Sequence, residues 1–307
     1  MNRQSLTRIA RAYSLLELPA WGQLLNWAGA FDDELWRNAP RKRIRGKWHG
    51  YLMSLDLRNW SERQTYLLGR FYDLPTQLLI RHALKQGQHF ADIGANIGMI
   101  TLLAAKQVGA TGCVEAFEPN PVAFGHLCDA VQANDLHGRV RLHSVALSEA
   151  PGRLILSVVT DHTGMGTLAD IPEQQLAFIS SRHEVEVITG DSLMLQRPRL
   201  DGVKVDVEGF ECHVFAGLAE TLRRDHPWIV AEVVPEHLER AGKSEQQLFS
   251  QMLALGYEAF ALRTQRRWLT HRLRLVPVDP RSLKHGQDVL FMMPGDPTRK
   301  RLQEFIS

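Results

Sequence analysis

Asp92-Ile93-Gly94-Ala95-Asn96-Ile97-Gly98 ends an apolar stretch and opens a helix-like one. Glycines at such a turn let the backbone come close to a ligand. A dinucleotide turn wants GxGxxG, with the pyrophosphate seated on the helix N-terminus. Here the spacing is GxxxG, and Asp92 would place a carboxylate beside any phosphate. No GK[ST] follows, which removes a Walker loop. The loop suits a ligand with an ammonium group and no phosphate. S-adenosylmethionine fits: its amino group can meet a carboxylate, and its carboxylate can meet helix N-terminal N–H groups. Glu118, in FEPNP, lies twenty-six residues after Asp92 at the end of the next strand-like run. A carboxylate there can accept both ribose hydroxyls. A turn carboxylate that only caps a helix is the plainer account of Asp92, and Glu118 weighs against it.

Methyl transfer is an in-line displacement with a good leaving group, so a protein must chiefly align the acceptor oxygen and handle its proton. Lys204-Val205-Asp206-Val207-Glu208-Gly209 supplies candidate catalytic residues. In extended chain Lys204, Asp206 and Glu208 point to one face. Lysine between carboxylates stays charged, so a base role for Lys204 needs desolvation or a nearby cation. An ion pair that holds Asp206 is the alternative. A polar strand end with a satisfied salt bridge is the plainest account, but three charges in an apolar strand are costly unless they act. Glu232 in WIVAEVV adds another carboxylate to the same rim. Asp206, Glu208 and Glu232 can together hold a divalent cation through oxygen. A metal-free site is nevertheless the expectation, with activity surviving chelation. Among the histidines, His162 in DHTGMGT and His143 fall near this rim.

Parallel strands joined by helical crossovers can position these groups. HFADIG (89–94), GCVEAFE (112–118), RVRLHSVAL (139–147), GVKVDVE (202–208) and WIVAEVV (228–234) read as five strands, alternating with helix-like segments. YEAFALR (257–263) and DVLFMMP (288–294) complete the series. RLILSVV and EVEVI suggest a β insertion around DHTGMGT. Before this core, residues 1–60 hold five of the seven tryptophans. Leu6, Ile9, Ala10, Tyr13 and Leu16 recur at helical spacing. The expectation is a helical extension over 1–60, with RKRIRGK (41–47) as a surface loop, packed on a core of 61–307. Its aromatic and basic residues can cover an acceptor.

DIGANIGMITLLAA, VEAFEPNPVAFGHL, HSVALSE and GVKVDVEGFE followed by VFAGL resemble the FkbM-type S-adenosylmethionine-dependent methyltransferases. The resemblance runs from about Tyr66 to Phe260. It implies the α/β class I methyltransferase fold, Rossmann-like: a seven-stranded, mainly parallel sheet with an antiparallel last strand and helices on both faces. It also implies, as the usual activity, O-methylation. The family's cofactor positions map onto Asp92, Gly94, Asn96, Gly98, Glu118 and Asn120. Val145 and Ala146 fall where such enzymes flank the adenine.

Composition bounds the rest. Of 307 residues, 44% are hydrophobic and 23% charged, enough for a sizeable core. The net charge of +2 gives no global field for nucleic acid. Nine Lys/Arg against four acids make residues 1–50 locally basic. Cys113, Cys128 and Cys212 show no CxxC spacing, which fits a reducing compartment. No uncharged run reaches the roughly 20 residues that span a bilayer, and Glu17 interrupts any signal-like stretch. A cytoplasmic O-methyltransferase acting on a small-molecule or glycan hydroxyl, of sugar or polyketide type, is the leading expectation. An RNA or DNA methyltransferase is the alternative, and a non-catalytic binding module a third.

Overall fold

The computed structural model describes residues 3–159, 166–169, 179–267, 270–279 and 286–307. The strands in chain order are β1 (Arg41–Arg45), β2 (Leu52–Asp56), β3 (His89–Ile93), β4 (Cys113–Phe117), β5 (Val140–His143), β6 (Ala146–Leu147) and β7 (Gly152–Val159). They continue with β8 (Gly166–Thr167), β9 (Ile179–Ile188), β10 (Gly202–Val205), β11 (Trp228–Val233), β12 (Glu258–Arg267), β13 (Thr270–Pro277) and β14 (Gln287–Met292). Among the described residues the central sheet has eight strands in the order β13-β12-β14-β11-β10-β3-β4-β5. The run from β5 to β11 is parallel, and β14 enters antiparallel between β11 and β12. The sheet is therefore mainly parallel with helices on both faces, with eight strands where seven were expected. The difference is β13, which pairs antiparallel with β12 along eight residue pairs.

The strands alternate between two cores, as the two-residue period of a pleat requires. Phe90, Val114, Ala116, Trp228, Val230 and Leu290 face helices Leu74–Ala83, Met99–Val108 and Pro121–Ala133. Ala91, Ile93, Val203, Val205, Ile229 and Phe291 face the opposite layer, with Phe215, Leu238, Leu248 and Met252. β3 is buried along its whole length, so His89 and Asp92 lie inside together with Phe90, Ala91 and Ile93. The expected insertion is a separate sheet in the order β6-β9-β7-β8. Ala146-Leu147 thus leaves the β5 line and pairs with β9 instead.

The N-terminal segment departs from the expectation of an all-helical extension. Arg41–Arg45 is no loop; it pairs with Leu52–Asp56 as an antiparallel hairpin. Met53, Leu55 and Leu57 join the same core as the central sheet. The helix face also differs: Ile9 and Leu16 are exposed, and Ala10 is the buried member, packing near Leu25, Ala30, Leu67 and Leu68. Arg63 is fully buried and binds this region together. It donates to the carbonyls of Ala30 (2.7 Å) and Leu57 (3.1 Å) and to Asp33 Oδ1 (2.5 Å). Among the described residues no helix is long and apolar enough to cross a membrane.

Candidate functional site

Three left-handed residues shape the loop after β3: Gly94 (φ 77°), Asn96 (φ 49°) and Gly98 (φ 92°). At Gly94 any Cβ would lie 1.8 Å from the Asp206 carbonyl oxygen, so glycine is required. The Gly94 and Ala95 N–H groups both donate to the Phe117 carbonyl (3.0 and 2.9 Å), docking the loop on the end of β4. Glu118, the next residue, is 7% exposed. Its two oxygens accept from the backbone N–H of Asn96 (2.7 Å) and of Asn120 (2.8 Å). Burial pushes its carboxyl up to about 7 even though those hydrogen bonds favour the charged form. Asn120 in turn caps helix Pro121–Ala133 through Val122 N–H.

These groups line an open cleft at the carboxyl ends of β3 and β4. Gly94, Asn96, Glu118, Asn120, Val145 and Ala146 line it directly. Leu156, Leu168 and Gly166 from the insertion and Phe210 complete its apolar wall. The apolar alternation of the insertion and the aromatic after KVDVEG were the signals available for them. The cleft fits S-adenosylmethionine: an apolar slot beside Val145 and Ala146, a sunken carboxyl at Glu118, and a glycine backbone free of side chain.

Asp92 and Gly98 stand apart from that wall. Asp92 is fully buried below the loop, accepting from Thr101 Oγ1 at 2.6 Å, with Lys204 Nζ 3.8 Å away. Burial raises its carboxyl. Gly98 precedes helix Met99–Val108 and leaves room for Leu127. Both residues shape the loop from beneath.

A second cleft of about 680 Å³ shares Gly94, Asn96, Asp206 and Glu208 with the first. Trp60, Phe71 and Tyr72 form its aromatic side, and Lys204 and Glu232 lie at its polar side. The Trp60 and Tyr72 rings are 5.0 Å apart. Trp36 and Trp48 do not reach it. Trp36 Nε1 donates to the Gly29 carbonyl, and Trp48 packs under Arg70 and Arg81.

The three candidate catalytic residues are not on one extended face. β10 ends at Val205, and Glu208 turns left-handed at φ 54°. Lys204 Nζ donates to the Gly94 carbonyl (2.7 Å) and lies 3.1 Å from Asp206 Oδ2. Burial opposes its charge, but Asp206 and Asp92 outweigh it and raise its pKa, so Lys204 stays an ammonium. Of the two roles expected for Lys204, the contacts present are those of the ion pair with Asp206. Glu208 turns instead to His237, whose Nδ1 is 2.9 Å from its Oε2. Glu232 is raised by the charge of Asp206 and by burial. The oxygen-only metal set of Asp206, Glu208 and Glu232 is therefore divided, because Asp206 is engaged by Lys204. His143 belongs to another network, stacked on Phe117 and 2.7 Å from Glu115. His162 lies outside the described residues.

The family model of the methyltransferase FkbM domain matches residues 92–259. A methyltransferase sdnD of Sordaria araneosa is 27% identical over 187 residues, 52% of this chain and 70% of that protein. Among solved structures, a methyltransferase FkbM from Methylobacillus flagellatus aligns over 88% of this chain and 60% of its own, with 14% identity and a TM-score of 0.42. An S-adenosylmethionine-dependent O-methyltransferase from Thermotoga maritima aligns over 83% and 86%, with 11% identity and a TM-score of 0.40.

Proposed function

The chain belongs to the FkbM methyltransferase family, and from that premise we propose that it methylates a hydroxyl of a small molecule or glycan. The observation that carries this reading is the wall shared by the two clefts, at Gly94, Asn96, Asp206 and Glu208. A cofactor on one side and an acceptor on the other would meet there.

When bound, S-adenosylmethionine supplies an electrophilic methyl group on a sulfonium. Glu118 and Asn120 would hold its ribose, the 94–98 loop its amino-acid end, and Val145, Ala146 and Leu147 its adenine. Asp206 lies on the shared wall, where it can accept the hydroxyl proton. That proton becomes strongly acidic as the oxygen forms its new bond, so a positioned carboxylate can take it. Lys204 orients Asp206 and keeps its protons. Trp60 and Tyr72 offer aromatic faces for a sugar ring, while Asp206, Glu208 and Glu232 can accept hydroxyl hydrogen bonds. Those three carboxylates against one lysine repel a phosphate backbone, which weighs against nucleic acid.

The test is to incubate full-length protein with methyl-labelled S-adenosylmethionine and a host extract, with Asp206→Asn as the comparison. The expected product is a labelled methyl ether, lost in the variant. Label on nitrogen, carbon or RNA would overturn the acceptor assignment.

A further inference from the structure

Glu208, Glu232 and His237 each present one ligand atom, and these atoms all lie within 4.8 Å of one another. They come from separate elements: the loop after β10, strand β11 and helix Pro235–Arg240. Ligands at about 2.0–2.3 Å from a shared divalent cation are separated by roughly 3–4.5 Å. Gly209 makes the approach possible, because a Cβ there would lie 2.2 Å from the His237 carbonyl oxygen. The His237 nitrogen is the independent sign. Buried Nδ1 is 2.9 Å from Glu208 Oε2, yet it is out of alignment and makes no hydrogen bond. The two groups stand at ion-pair distance without an aligned hydrogen bond between them, as ligands of a common third atom do.

Neighbouring charges agree. Among the described residues no lysine or arginine ion-pairs with Glu208 or Glu232, and Asp288 pairs in register with Glu232 on the adjacent strand. The other group with ligand-like spacing, His89, Cys113 and Glu115, behaves differently. There Arg141 and Arg197 stand 2.7 and 3.3 Å from Glu115 and already neutralise it.

We infer that Glu208, Glu232 and His237 form a binding site for a divalent cation, for which manganese, a metal suited to carboxylate oxygens, is the probe. This reverses the expectation of a metal-free site, since the nitrogen ligand comes from a helix that strand spacing could not reveal. Glu208 and Glu232 line the second cleft, so the open positions of the cation would face it. There they suit two adjacent oxygens, as in a vicinal diol; this last step rests on the acceptor reading above.

Full-length protein stripped with chelator should bind one manganese ion per chain, followed by calorimetry and by electron paramagnetic resonance. His237→Ala and Glu232→Gln should each weaken binding at least about tenfold, while Glu236→Gln, one residue away and exposed, should leave it unchanged. Circular dichroism of each variant guards against misfolding. Absent stoichiometric binding, or equal binding in all variants, overturns the inference. S-adenosylmethionine binding in chelator is measured alongside: if the cofactor binds and manganese does not, only the cation site falls.

Discussion

Lys204 Nζ donates to the Gly94 carbonyl at 2.7 Å while it faces Asp206 at 3.1 Å. One ammonium group thus clamps the loop on one cleft to the strand end that opens on the other. Asp92, fully buried 3.8 Å away, balances the same charge from below.

Lys204→Met should therefore destabilise the fold by about 3–5 kcal/mol, because it leaves Asp92 buried without its cation. Adding Asp92→Asn should restore part of the loss. Urea unfolding of both variants checks this, and a silent single change would remove the clamp.

Cofactor affinity should depend on pH through Glu118. Its carboxyl is pushed up to about 7, and ribose hydroxyls favour its ionised form. Protonation then competes with binding, so the dissociation constant at pH 6 should be about tenfold that at pH 8. Glu118→Gln should bind more weakly and lose this slope. Calorimetry at the two pH values decides.

Trp60→Ala should raise the acceptor Michaelis constant and spare cofactor affinity, because Trp60 lines only the second cleft. Trp36→Ala should do the reverse kind of damage. It loses the hydrogen bond to Gly29 and the contact with Arg63, so stability should drop by roughly 1–3 kcal/mol with kinetics intact. Equal kinetic effects in the two variants would contradict the placement of the acceptor.

A different network should set the alkaline limit of stability. Burial opposes the charge on His89, but contacts with Cys113 and Glu115 outweigh it and raise the group from 6.5 to about 9. Its contribution is fully present below about pH 6.5 and is lost as pH rises through 9. Glu115 itself is held far below the usual carboxylate range: burial opposes this, but His143, His89 and Arg141 prevail. Its contribution is present above about 4.5 and fades as pH falls. Glu115→Gln should flatten the decline between pH 6.5 and 9 and lower stability at pH 7. Thermal unfolding across that range measures both effects.

The parts legible in the sequence were those with a local signature. Strand β3 announced itself by Phe90, Ala91 and Ile93 running into the glycine turn, and Glu118 by its position at the next strand end. Glycines 94 and 98 marked left-handed turns. Glu208 misled, because two-residue alternation extrapolates a strand past Val205, where Gly209 and Glu211 bend the chain. Glu211 accepts the N–H groups of Val207 and Gly209 and fixes that bend. His237 carried no spacing signal, since its partner lies twenty-nine residues back. The β1–β2 hairpin was hidden by its charges: four of the five residues of β1 are Lys or Arg, which reads as a loop. Pairing with Leu52–Asp56 supplies what local polarity denied.

Arg63 gives the N-terminal segment a further meaning. The family model begins at residue 92, yet this guanidinium finds its acceptors at Ala30, Asp33, Leu57 and Arg58. A cut at residue 60 would strand a buried cation and remove Met53, Leu55 and Leu57 from the main core. The segment is therefore not a detachable cassette. Chimeras that exchange acceptor preference between relatives would have to carry residues 30–63 as one block, with the seam placed upstream of Ala30.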